Sequence, residues 1–211
     1  MQWQCLRSVW WETLCPSLDL LTSKGNLLAL KATIFKVNLQ VSDMDRNYYG
    51  EHQFTLARHP SETDERMMVR VLAFALNAHE HLAFGKGLSD TDEPDLWQKD
   101  LTGQIVHWID VGLSDEKRLI RACGKADRVT VYAYGRGVDL WWKVSAERLA
   151  RAKNLSVWRV PNEASESLGK LAGRTMQLQC TVQEGQTWFS NSSATLEMEV
   201  ASVMGRAQTS I

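Results

Sequence analysis

The sequence predicts a mixed α/β (α+β) fold in the order helix, three strands, helix, strand, preceded by an N-terminal hairpin and followed by an antiparallel meander. Three observations predict it. Period-two alternation runs through "LKATIFKVNLQV" near the start and through "RTMQLQCTVQ", "TWFSN" and "ATLEMEVAS" near the end, the spacing at which strand side chains share a face. Two segments with capping residues and helical apolar spacing, 61–76 and 114–126, interrupt the strands. Between them "QIVHWIDVG" is apolar without alternation, as a central strand covered on both faces is.

With 211 residues, the chain suits one domain able to bury most of its apolar surface. A composition of 44% hydrophobic and 23% charged residues, with only 4 prolines, is that of a globular protein and leaves no room for a large disordered part. The net charge of -1 excludes gripping nucleic acid by overall charge and confines any such contact to a local basic stripe. Cys5, Cys15, Cys123 and Cys180 form no CxxC and no paired metal spacing, so reduced thiols in the cytoplasm are expected and zinc is not. No run approaches the roughly eighteen apolar residues of a membrane span.

Taken in order, the first 27 residues carry Trp3, Trp10 and Trp11 without a period and lack the parts of a secretory signal. They read as a non-native or disordered extension, ahead of a single domain over 28–205 and a short tail over 206–211. The turn "SDMDRN" joins the first strand to "NYYGEHQFTLARH" in an antiparallel hairpin. Pro60 opens the first helix with Ser61 as its cap, and Glu62, Asp64 and Glu65 favour the positive end of its dipole. Three strands follow, "HLAFGK", "PDLWQK" and "QIVHWIDVG". Ser114 is expected to cap the second helix, with Leu119, Ile120, Cys123 and Ala126 inward and Lys117, Arg121 and Lys125 outward at four-residue spacing. "RVTVYAYG" is another buried strand, and Val138, Trp142, Ala146 and Leu149 then repeat at helical spacing. "LSVWRV", a short helix over 162–172 and the meander complete the chain.

Four motifs in this order, "LARHPSETDERMMVR", "DEPDLW", "WIDVGLSDEKR" and "NLSVW", resemble the YaeQ family of bacterial proteins, and the resemblance covers Ala29 to about Val203. It implies a restriction-endonuclease-like fold, a variant of the PD-(D/E)xK nucleases. Members generally begin with Met where this chain has Leu28, which implies an overlong gene start and an absent natural extension.

The resemblance also implies a site. In PD-(D/E)xK nucleases an Asp after Pro and a second acid two residues before Lys hold a divalent cation, often with a glutamate of the first helix; oxygen ligands of this kind suit magnesium. Pro94 and Asp95 match the first element and Asp110 the second acid. Glu65 is the first-helix candidate, ahead of Glu62 as the more inward, and Glu93 is an additional metal ligand or a solvent-facing carboxylate beside Asp90 and Asp92. Gly112 stands where the pattern has lysine, so Lys117 or Arg118 would have to substitute in catalysis. Lys117, Arg121 and Lys125 are candidates for holding nucleic-acid phosphate. The expected activity is a magnesium-dependent nuclease-like one, or a non-catalytic binding or regulatory protein that keeps the fold. Competing readings stay open: the acidic cluster as a solvated loop, Asp110 as a helix cap or a salt-bridge partner of Arg118, and the basic positions as an ordinary solvated face. His79 and His81 are not read as a metal pair, since alternate positions point apart and no third ligand is evident.

Overall fold

The computed structural model describes residues 32–86 and 92–204. The expected extension over 1–27 and the tail over 206–211 lie outside them, as does Asp90. Eleven strands and four helices follow in the order β1 (Thr33–Asp43), β2 (Tyr48–Arg58), α1 (Asp64–Leu76), β3 (Leu82–Phe84), β4 (Leu96–Lys99), β5 (Ile105–Val111), α2 (Glu116–Cys123), β6 (Ala126–Ala133), α3 (Val138–Leu149), β7 (Leu155–Arg159), α4 (Asn162–Lys170), β8 (Thr175–Gln183), β9 (Gln186–Ser190), β10 (Thr195–Glu199) and β11 (Ala201–Met204). The stretch from α1 to β6 has the predicted order of helix, three strands, helix, strand.

Two sheets share one core. The five-stranded sheet runs β10-β9-β8-β1-β2 and the six-stranded sheet β11-β7-β6-β5-β4-β3. Alternation in β1 turns Phe35, Val37, Leu39 and Val41 inward while Lys36 and Gln40 face water. Those residues, Met176, Leu178 and Cys180 of β8, and Ile109 and Val111 of β5 pack around α1, whose residues Met67 to Leu76 are all buried. A helix apolar on every side is one enclosed on every side, and α1 is that helix. Its neighbour α4 comes close because residue 169 is glycine: a Cβ there would sit 3.1 Å from the Glu65 backbone. On the other face of the six-stranded sheet, Trp108, Val129, Val131 and Val157 form a second core with Leu119 of α2 and Val138 and Leu149 of α3.

Three local expectations are corrected. The α1 cap is Thr63, which accepts from the Arg66 amide, rather than Ser61; the Ser61 hydroxyl is taken by the His59 ring at 2.6 Å. The α2 cap is Asp115, accepting from the Lys117 and Arg118 amides, while the Ser114 hydroxyl turns to Asp110 at 3.4 Å. Inward positions also shift: Ile120 is 49% exposed and Ala122 takes its place, and Ser145 rather than Ala146 completes the buried α3 stripe, with Trp141 and Trp142 partly covered.

The meander β8-β9-β10 is antiparallel as expected, but its first strand lies parallel to β1, a pairing between distant segments that local pattern does not encode. "ATLEMEVAS" divides at Val200, with β10 staying in the first sheet and β11 joining β7 at the edge of the second. Val200 packs against the shared core at the crossing.

Candidate functional site

Strand register brings the two predicted acids together. Leu96 is opposite Ile109 in the antiparallel β4–β5 pair, so Asp95, one residue before β4, adjoins Asp110 near the end of β5. The Val111 amide donates to Asp95 Oδ2 at 2.8 Å. The carboxylates nevertheless serve different helices. Asp110 shares its side of β5 with Trp108, against α2 and α3, whereas Asp95 is turned to the arginines of α1.

Arg66 Nη2 donates to both oxygens of Asp95, at 2.7 and 2.9 Å, and its Nη1 donates to Glu62 Oε1 at 2.9 Å. Arg70 Nη1 donates to Glu62 Oε1 and Oε2 at 3.1 and 3.3 Å. Arg70 Nε lies 3.5 Å from Asp95 Oδ1, a charge contact too poorly directed to count as a hydrogen bond, which leaves that buried donor without one. Arg118 grips Asp110 through Nε at 2.8 Å and Nη2 at 3.0 Å and also donates to the Glu93 carbonyl at 2.7 Å. Trp108 Nε1 supplies a further donor to Asp110 at 3.0 Å. Glu62, Asp95 and Asp110 are therefore matched in charge by Arg66, Arg70 and Arg118.

Depth makes this balance consequential. Asp95, Asp110, Glu62 and Arg70 are all buried, and the side chains of Arg66 and Arg118 are 17% and 21% exposed. Burial pushes the Asp95 pKa above its usual value; Arg66 and Arg70 pull it down and the neighbouring charge of Asp110 adds to the rise. The hydrogen bonds and charge of Asp110 hold Arg118 above its ordinary value. Tyr134, at the same end of the sheet, is raised to about 12, chiefly by burial, so its phenol stays protonated. His107 is buried on β5 and lowered to about 3 by burial and by Arg128, so its imidazole stays neutral.

The other predicted positions are distributed around this cluster. Glu65 does not join it: the Ser165 hydroxyl of α4 donates to its Oε1 at 2.6 Å. Because α1 starts after Thr63, Glu62 lies ahead of the first turn and folds inward to Arg66 and Arg70, reversing the expected ranking of the two glutamates. Glu93 is half-buried and pairs with Lys86 at 3.0 Å; Asp92 is exposed. Lys117 and Arg121 are exposed along α2 and Lys125 is exposed in the turn after it, since the helix ends at Cys123 rather than reaching 126, and Arg121 and Lys125 border a shallow depression with Trp108 and Arg118. Gly112 has φ +102°, the left-handed region where a side chain is strained. The backbone at this position, where the resemblance implies lysine, thus favours glycine.

A divalent cation does not fit this arrangement. Each oxygen of Asp95 and Asp110 already meets two donors or cationic nitrogens, and an octahedral magnesium shell would require their release. Among the described residues, no three His, Cys, Asp or Glu side chains form a metal-binding group. Residue types alone missed Arg66 and Arg70. The available signal was Arg70 within "MMVRVLAFAL", since a cation enclosed by apolar neighbours needs a carboxylate.

By its geometry this is an α/β protein that neutralises paired strand-end carboxylates with its own arginines. The chain belongs to the YaeQ family, whose model, described as YaeQ protein, matches residues 28–200. It is 44% identical to the YaeQ protein of Salmonella typhi over 174 residues, 82% of this chain and 96% of the relative. It is 42% identical to that of Escherichia coli K12 over the same shares. The crystal structure of YaeQ from Xanthomonas axonopodis pv. citri superposes with TM-score 0.81 at 43% identity, covering 83% of this chain and 99% of that one. YaeQ from Pseudomonas syringae gives 0.80 at 36%, over 83% and 97%. Among the described residues, no helix is long and apolar enough to cross a membrane.

Proposed function

We propose that this chain binds nucleic acid without cutting it, on a restriction-endonuclease-like fold in which arginines stand where a nuclease holds its cation. The observation that carries this reading is the saturation of Asp95 and Asp110 by Arg66, Arg70 and Arg118. Three cations matched to three anions leave no charge for magnesium to neutralise. Gly112 supports the reading, since its left-handed backbone disfavours the lysine that would orient water. Phosphate contact falls to Lys117 and Arg121, exposed one turn apart on α2, and to Lys125, exposed in the turn that follows it. The alternative, a magnesium-dependent phosphodiesterase using Asp95, Asp110 and Glu93 with Lys117 or Arg118, is favoured by the adjacency of the two acids. It requires two helices to surrender their arginines.

Fluorescence anisotropy of labelled DNA and RNA oligonucleotides across a salt series tests the proposal. Binding should persist in EDTA, with no cleavage when magnesium or manganese is supplied. Lys117→Ala/Arg121→Ala/Lys125→Ala should weaken it and flatten the log-affinity against log-salt slope by about 2.7 on duplex DNA, if each residue neutralises one phosphate. Affinity and slope indifferent to all three changes would remove the proposed interface. Magnesium-dependent cleavage lost in Asp110→Asn would establish the alternative.

A further inference from the structure

Among the described residues the two sheets have four edge strands, and these are not equally protected. Edge strands present unpaired N–H and C=O groups, and proteins blunt them by shortness, bulges, charge or proline. Three edges follow this rule: β3 has three residues, β11 has four and a register irregularity against β7, and β10 has five. The fourth carries two charges, Glu51 and Arg58, but none of the other devices: β2 is eleven residues long, pairs with β1 without a shift from Tyr48 to Arg58, and contains neither proline nor lysine.

Its core-facing side is also incompletely covered. Of the eleven residues only Leu56 is fully buried, while Phe35, Val37, Leu39 and Val41 of the adjoining β1 are all within the core. Tyr48, His52 and Phe54 are half-covered at the margin, with Phe54 against Phe74 at 4.9 Å between ring centroids and the Tyr48 hydroxyl 2.9 Å from His52 Nε2. Among the described residues, no strand lies beyond β2 in its sheet.

We infer that β2 pairs antiparallel with β2 of a second copy of this chain, about a two-fold axis perpendicular to the sheet at Gln53. This register has two properties that select the occupant. It matches all eleven residues of each strand, because Gln53 is the midpoint of Tyr48–Arg58. It also sets no like charges opposite one another: Glu51 faces Thr55, Arg58 faces Tyr48, and His52 faces Phe54, an aromatic pair of the kind that stabilises neighbouring strands. A register centred on Glu51 would oppose two carboxylates and one centred on Arg58 two guanidinium groups. The axis at Gln53 joins two five-stranded sheets into one and removes both open edges. A symmetric patch contacting itself is the commonest route to a closed dimer.

Sedimentation equilibrium of the full chain at about 100 µM, well above a micromolar dissociation constant, should give twice the chain mass. Gln53→Lys sets two ammonium groups against each other at the axis, on a position exposed in the single copy, and should return the mass to one chain without lowering the thermal midpoint of the dilute protein. Mixing it with Gln53→Glu should restore the doubled mass as a heterodimer. A single-chain mass for the unmodified protein at that concentration would overturn the inference and leave the edge to an extended segment of another protein. So would a Gln53→Lys variant that dimerises as before, which would place the contact elsewhere.

Discussion

Arg70→Ala should lower the unfolding free energy by about 3–5 kcal/mol, the usual cost of removing one partner from a buried ion pair. The side chain is 2% exposed, donates to both oxygens of Glu62, and lies over the Phe84 ring at 5.5 Å. Truncation leaves Glu62 with Arg66 as its remaining cationic partner beside the His59 amide, weakens the compensation of Asp95, and opens a cavity beside α1. In a domain of this size such a loss corresponds to a fall in thermal midpoint of about 10 °C, readable in urea or thermal unfolding at neutral pH. Glu62→Gln/Arg70→Met should recover part of the loss, because neither charge is then stranded. A fall below about 1 kcal/mol in Arg70→Ala, the scale of an exposed pair, would contradict the buried network.

Asp110→Asn should cost about 3 kcal/mol or more, since Arg118 then faces an amide instead of a carboxylate in a buried setting. All the contacts of Asp110 are donors: Trp108 Nε1, Arg118 Nε and Nη2, and the Ser114 hydroxyl. An asparagine answers with one acceptor and turns an N–H toward other donors. The sign is diagnostic. In a cation site built from crowded acids, removing a charge relieves repulsion and the metal-free protein holds or gains stability. Thermal unfolding of Asp110→Asn in EDTA separates the cases, and an unchanged or raised midpoint would favour the metal-centred reading.

Much of the element order was legible because it is local. Period-two alternation marks β1 and β8, and the unbroken apolar run of β5 marks a strand with both faces covered, as residues 107–111 are. The parallel β1–β8 pairing and the crossing at Val200 escaped because they depend on packing between distant segments. The adjacency of Asp95 and Asp110 followed from motif order, whereas their partners did not. Glu65 reads as inward because it lies one turn before Met68 and Val69, but with Thr63 as the cap Glu65 meets Ser165 and Glu62, ahead of the helix, meets the arginines. Arg66 and Arg70 are visible as an i, i+4 pair, but the pairing of Arg66 with Asp95, 29 residues away, is not a local feature. Gly112 stands where the resemblance implies lysine; its positive φ gives the backbone reason for glycine there.

Calorimetric titration of magnesium and manganese into the full chain decides whether arginines or a divalent cation neutralise Asp95 and Asp110. No saturable heat is expected up to about 10 mM of either metal, since magnesium gives up its hydration reluctantly and the carboxylate oxygens are already engaged. Saturable binding that disappears in both Asp95→Asn and Asp110→Asn would contradict neutralisation by the arginines.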